Sequence, residues 1–184
     1  MQIADPTAHY PGYDALLEKL PAVMRNPPPP SESDLRSFRA YREWQRRTNG
    51  APFPEAELRN GFDSSPGGRV GEYRTPVSIR DAIIEGARKP EYARVAVPVL
   101  AFIAYPPSVE DQLQRHQVHG DRERRAVEQV YAADLYWIRK RIQTLQSGVP
   151  GARIVELRRA NHFVFLSNEA DVLRELRAFL ARLH

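Results

Sequence analysis

Three groups of side chains in this sequence have types and spacings that could do chemistry. The first is a single imidazole, His162, in Ala160-Asn161-His162-Phe163, a few residues after the strand-like segment Ile154-Val155-Glu156-Leu157. The turn just past a buried parallel strand is where α/β enzymes place a general base. Its plain alternative is a polar turn residue that satisfies local backbone groups. The second group is His116 and His119, whose spacing puts both on one helical face, with Asp121 following. A metal is conceivable there, but a third ligand is missing, and two imidazoles near a polar helix end read more simply as solvent-exposed, so no metal is assigned. The third is Tyr41, Trp44 and Phe53, which could line an apolar substrate pocket, although packing is their simpler use. Tyr131, Tyr136 and Trp137 read as core or interface residues. No cysteine is present, which removes disulfides and thiolate zinc sites, and no cofactor is expected.

The elements that must position these groups change in texture along the chain. Gln2-Ile3-Ala4 reads as the end of a strand, turned aside by Asp5-Pro6. Residues 14–92 read as short helices joined by Pro and Gly. A helix spans Tyr13 to Met24, with Leu16, Leu17, Leu20 and Val23 at helical spacing, and Pro27 to Pro30 form a stiff spacer after it. Ser31 or Ser33 caps a helix to about Thr48 that carries Leu35, Phe38, Tyr41 and Trp44, and Asn49-Gly50 stops it. Pro54 opens a short helix over Glu55 to Arg59, Phe62 to Gly68 is a turn or hairpin, and Thr75-Pro76 precedes a helix carrying Val77, Ile79, Ile83 and Ile84 that Gly86 ends. This is the texture of a lid.

From Tyr92 onward the pattern is that of a sheet with flanking helices. Val95 to Ala104 is nearly all apolar and reads as a strand covered on both faces. Asp121 caps a long helix to about Gln146, with Val127, Val130, Tyr131, Leu135, Ile138, Ile142 and Leu145 on one side. Ile154 to Leu157 is a second strand. Asn168 caps a last helix whose Val172, Leu173, Leu176, Leu180 and Leu183 are expected to face inward. Strand, helix, strand, helix implies a parallel crossover.

Composition sets the class. The chain has 184 residues, of which 42% are hydrophobic and 27% charged, enough for one compact domain with an appendage. The net charge of +4 and sequence pI of about 9.6 raise nucleic acid as a partner, but the arginines alternate with Asp and Glu rather than forming a stripe. Neither nucleic acid nor a membrane is expected as a partner. No apolar run reaches the roughly 20 residues of a membrane span, and Met1 to Pro6 does not have the makings of a signal peptide. The chain reads as soluble, cytoplasmic by default.

With the strands placed, the segment from Glu91 to His184 resembles the C-terminal half of an α/β-hydrolase. Tyr92-Ala93-Arg94-Val95-Ala96-Val97-Pro98-Val99-Leu100-Ala101 matches the penultimate core strand, Gly151-Ala152-Arg153-Ile154-Val155-Glu156-Leu157 the last one, Ala160-Asn161-His162-Phe163 the histidine turn, and Leu173 to Leu183 the closing helix. About half of the chain is covered. The resemblance implies a partial α/β fold: the end of a core strand in residues 1–13, a helical cap in 14–92, and the C-terminal part of the core in 93–184. It also implies that His162 is the base that takes a proton from a serine nucleophile. Asp5, at the end of the earlier strand, is then the possible acid partner, with Glu110 and Asp111 behind it, because Tyr105-Pro106-Pro107-Ser108 holds no carboxylate where the family usually has one.

Two parts of that machinery are missing from the sequence. No serine sits in a G-x-S-x-G elbow, and Ser65, in Asp63-Ser64-Ser65-Pro66-Gly67, reads as a turn residue. A glycine-rich oxyanion loop is missing as well. The expectation is therefore a portion of a serine hydrolase for an ester or similar carbonyl substrate, inactive alone, from a truncated frame or a longer gene. The competing class is a non-catalytic interaction protein on a degenerate half-fold, with self-association through an exposed sheet edge.

Overall fold

In the computed structural model, residues 12–86 and 92–183 are described. Gln2 to Ala4 and Asp5 lie outside them. The elements in chain order are α1 (Tyr13–Leu17), α2 (Ala22–Arg25), α3 (Glu32–Leu35), α4 (Phe38–Asn49), α5 (Glu55–Gly61), β1 (Phe62–Ser64), β2 (Val70–Tyr73), α6 (Val77–Gly86), a 3-10 turn (Tyr92–Arg94), β3 (Leu100–Ala104), α7 (Val109–Arg115), α8 (Asp121–Gly148), β4 (Arg153–Leu157), α9 (Val164–Ser167) and α10 (Glu169–Leu180). The class is mixed α/β, and among the described residues there are one antiparallel hairpin and one parallel strand pair.

The described chain falls into two compact units. One contains the residues up to Asn26 together with those from Tyr92 on, and the other runs from Pro27 to Gly86. The first two helices thus group with the parallel strands, not with the short helices that follow them.

Prolines and serines cut the helices more finely than apolar spacing suggests. The helix expected over Tyr13 to Met24 is two, because Pro21 lacks an N–H and disfavours helical backbone at Leu20; Pro21 precedes α2 with φ −51° and ψ 141°. The helix expected from Ser31 to Thr48 is also two. Ser31 closes a capping box with Asp34, and Ser37 then adopts extended backbone and its hydroxyl accepts from Ala40 N at 3.2 Å, starting α4 anew. Gly50, at φ 76°, ends α4 in the left-handed conformation that suits glycine.

Asp34 gives the inserted unit an acid-sensitive joint. The hydroxyl and N–H of Ser31 donate to its carboxylate at 2.6 and 3.0 Å, Arg47 donates at 2.7 Å, and together they pull its pKa from 3.8 down to about 2. A lowered folded pKa stabilises above the unfolded value and is lost as pH falls through the folded one. The stability gap between wild type and Asp34→Asn is therefore expected to be constant above about pH 5 and to close toward about pH 2, as thermal melts across that range will read.

The core of this unit is Phe38, Tyr41, Leu58 and Val70, with Leu35, Trp44, Phe53 and Phe62 packed on it. Tyr41 stacks on Trp44 at 5.1 Å and meets Phe62 edge-on at 5.3 Å. The buried Gln45 accepts from Phe53 N at 3.3 Å, and Arg42 Nε donates to Phe53 O at 2.8 Å, which ties the loop before α5 to α4. The turn at Phe62 to Gly68 is the hairpin β1–β2.

In the other unit β3 and β4 pair in parallel, Leu100 opposite Arg153 through Ala104 opposite Leu157. The strand expected from Val95 is shorter. Pro98 has no N–H to give a ladder, and pairing begins where Val99 O accepts from Arg153 N at 2.9 Å. Every residue of β3 is half-buried, and Val97 is 66% exposed, so the expected cover on both faces is not found among the described residues.

The crossover from β3 to β4 runs through α7 and the 28-residue α8. Val109 and Leu113 of α7 pack on Val127 of α8, with Leu20, Met24, Val118 and Tyr131 around them. Tyr13 Oη donates to Asp134 Oδ1 at 2.6 Å, fixing α1 to the same helix; burial and that bond push the Tyr13 hydroxyl's pKa up. The end of α8 admits no side chain at Gly148, where a Cβ would come within 2.5 Å of Tyr92 Cβ.

The last helix departs most from expectation. Leu173, Leu176 and Leu180 of α10, and Leu183 beyond it, are 38%, 39%, 49% and 46% exposed instead of facing inward. Among the described residues the parallel sheet has two strands, too little surface to cover that stripe. An ion pair tethers the helix: Arg153 of β4 donates to Glu175 and holds its carboxyl below its ordinary value.

Candidate functional site

The parallel pair delivers its following segments to one place. Beyond β3, Tyr105 N donates to Leu157 O at 2.8 Å, and Ala160 N donates back to Tyr105 O at 3.1 Å. The ladder thus continues past both carboxyl ends and fixes where Ala160 leaves the sheet.

His162 lies two residues further on, exposed, in the turn between β4 and α9. Its imidazole sits edge-on to the Phe163 ring at 4.9 Å and 77°. Phe165 extends the aromatic group, 6.0 Å from Phe163. The backbone of the turn is held by short polar side chains: Asn161 Oδ1 accepts from Phe163 N at 3.0 Å, and Ser167 Oγ accepts from Asn161 N at 2.9 Å while donating to Asn168 Oδ1 at 2.7 Å. Asn168, expected to cap α10, spends its side chain on this network and makes no cap hydrogen bond. The network fixes the backbone of the turn and leaves the imidazole open to solvent.

A cleft of about 420 Å3 opens beside the same strand ends, lined by Pro107, Asp111, Gln114, Arg115 and Arg159. Arg159 reaches it from a left-handed backbone at φ 52°, a conformation costing an arginine about 1–2 kcal/mol. Its Nε lies 3.5 Å from Asp111 Oδ2. Sequence reasoning did not find this cleft. The available signals were the paired Arg158-Arg159 at a strand end and the stiff Pro106-Pro107 opposite, neither of which reveals a left-handed residue.

The remaining candidates have structural employment. Asp111 completes a capping box with Ser108 at the start of α7, and Glu110 sits 3.6 Å from Arg124. Ser65 is in the β1–β2 turn, where its hydroxyl accepts from Arg69 N at 3.2 Å and its N–H donates to Arg69 O at 3.0 Å. Tyr41, Trp44 and Phe53 face one another in the core of their unit.

His116 and His119 do not share a helical face, because α7 stops at Arg115. Gln117 turns left-handed at φ 52°, Val118 N donates to Leu113 O at 2.9 Å and Gln117 N to Gln114 O at 3.2 Å, the two bonds of a Schellman stop, with Val118 packed beside Leu113. His116 is half-buried at that stop, and burial lowers its pKa. Among the described residues no group of three metal-ligating side chains converges, and no helix is long and apolar enough to cross a membrane.

No family model matches the chain, and neither a curated protein nor a solved structure matches it.

Proposed function

We propose that this chain is the base-bearing C-terminal portion of a serine hydrolase of the α/β-hydrolase type, acting on a small ester or similar carbonyl compound. The observation that carries the reading is an exposed imidazole, His162, in a turn fixed just past the carboxyl end of a parallel strand. In the complete enzyme a serine hydroxyl attacks the substrate carbonyl carbon, and His162 takes the hydroxyl proton as the bond forms. The imidazolium returns that proton to the departing alkoxide, and water repeats the cycle on the acyl-serine. Asp5 is the proposed acid partner that orients the ring. Neither elbow nor oxyanion loop is encoded in the 184 residues, so the nucleophile is assigned to further polypeptide.

The chain alone is then expected to turn over p-nitrophenyl butyrate no faster than free imidazole and to resist labelling by a fluorophosphonate. Labelling at a serine of this chain, with ester turnover lost in His162→Ala, would overturn the assignment of the nucleophile elsewhere.

A second reading, a non-catalytic interaction protein on a degenerate half-fold, is favoured by a specific observation: the half-exposed leucine stripe of α10 beside a two-stranded sheet. Among the described residues each of β3 and β4 has one edge without a strand neighbour, and such edges pair with other chains. Concentration-dependent self-association in sedimentation, without ester turnover in any longer form of the protein, is the outcome that selects it.

A further inference from the structure

We infer that the cleft lined by Pro107, Asp111, Gln114, Arg115 and Arg159 is a binding site for the carboxylate of a small molecule. The inference stands apart from the hydrolase reading, since it uses neither His162 nor a nucleophile. Three observations converge on it. First, the cleft lies past the carboxyl ends of a parallel strand pair, where open α/β sheets take their ligands, and its volume of about 420 Å3 suits a small organic molecule. Second, two arginines line it from separate elements, Arg115 from the last turn of α7 and Arg159 from the turn after β4. Arg159 does so from a left-handed backbone, while Arg115 makes no ion pair with a described residue. Third, Pro107 gives one wall a stiff apolar surface, and Gln114, which carries an amide, is in the same lining.

The charge count chooses the ligand. Two guanidinium groups less the Asp111 carboxylate leave one positive charge, which one carboxylate neutralises and a phosphate dianion exceeds. The carboxylate takes paired N–H donors from a guanidinium fork, the geometry in which arginine binds most strongly. Asp111, 3.5 Å from Arg159 Nε, is in this scheme the internal competitor that a ligand displaces.

The test is a titration of the intact chain with sodium benzoate, followed by backbone amide signals, against sodium phosphate and against chloride at matched ionic strength. Benzoate is expected to shift Gln114, Arg115, Arg159 and Ala160 saturably, where chloride does not. Arg115→Gln and Arg159→Gln each weaken binding about tenfold, the worth of one charge-assisted hydrogen bond. Asp111→Asn, which keeps an oxygen for the Ser108 N–H, tightens it. Both arginines are exposed, so their replacement leaves the fold in place. Equal shifts with chloride, shifts that persist in the double arginine variant, or weaker binding in Asp111→Asn overturn the site. Tighter binding of phosphate than of benzoate overturns the ligand class.

Discussion

Phe38→Ala melts the unit between Pro27 and Gly86. Phe38 is 1% exposed, the most deeply placed ring of a small core that it shares, among the described residues, with Tyr41, Leu58 and Val70, and Arg59 lies over its face at 4.6 Å. Truncating a buried phenylalanine to alanine costs about 3–5 kcal/mol. A unit of about 60 residues holds only about 3–9 kcal/mol in all, so the loss removes most or all of its margin. The core cannot close over the gap, because Tyr41 is already committed to stacking on Trp44 and to the edge of Phe62. The readout is near-ultraviolet circular dichroism and Trp44 emission in a Trp137→Phe background. The variant is expected to lose the folded signal at room temperature, whereas retention of a cooperative melt within a few degrees of wild type would show that the ring is not the keystone assigned to it.

Leu113→Ala has the second largest effect, on the unit that carries His162. Leu113 is 4% exposed and belongs to a cluster that joins three parts of the chain: α7; α8, through Val127; and the segment before Asn26, through Leu20, between α1 and α2, and Met24 of α2. Leucine-to-alanine replacements at such sites cost about 2–5 kcal/mol. The damage extends beyond the cavity, because Val118 packs in the same cluster and its N–H bonds to Leu113 O to close the stop of α7. Loosening α7 loosens one wall of the cleft and one half of the crossover that brings β4 beside β3. The midpoint of urea unfolding should fall accordingly, and amide protons of Arg153 and Tyr105, both in the ladder, should exchange faster. An unchanged midpoint would mean that the crossover is held elsewhere, by the α1–α8 contact at Tyr13 and Asp134.

How much of this could be read from the sequence differs between elements for physical reasons. The span of α8 and the position of β4 were legible because long amphipathic spacing and a short β-branched run are strong local signals. The division at Ser37 was not, since a serine in a helical pattern caps only if the chain bends there, and the bend comes from packing Leu35 and Phe38 into one core. Pro21 breaks the first helix, and the apolar spacing of Leu16, Leu17, Leu20 and Val23 reads straight through it. The inward face of α10 was misread for a different reason: periodicity says which side of a helix is apolar, never whether a neighbour exists to cover it. The histidine spacing at 116 and 119 misled similarly, because the left-handed Gln117 that ends α7 has no glycine or asparagine to announce it. His162 was legible as a turn residue after a strand, whereas the cleft beside it was not, since it depends on a left-handed arginine and on two segments about 45 residues apart in sequence.

The most direct test of the central proposal is to read the DNA in frame upstream of the Met1 codon and to express the joined product. The account predicts an encoded strand, a G-x-S-x-G turn and a helix, and a joined protein that hydrolyses p-nitrophenyl butyrate with a rate reduced by about 10²- to 10⁴-fold in His162→Ala. An upstream frame without that elbow, or a joined enzyme indifferent to His162→Ala, would contradict it.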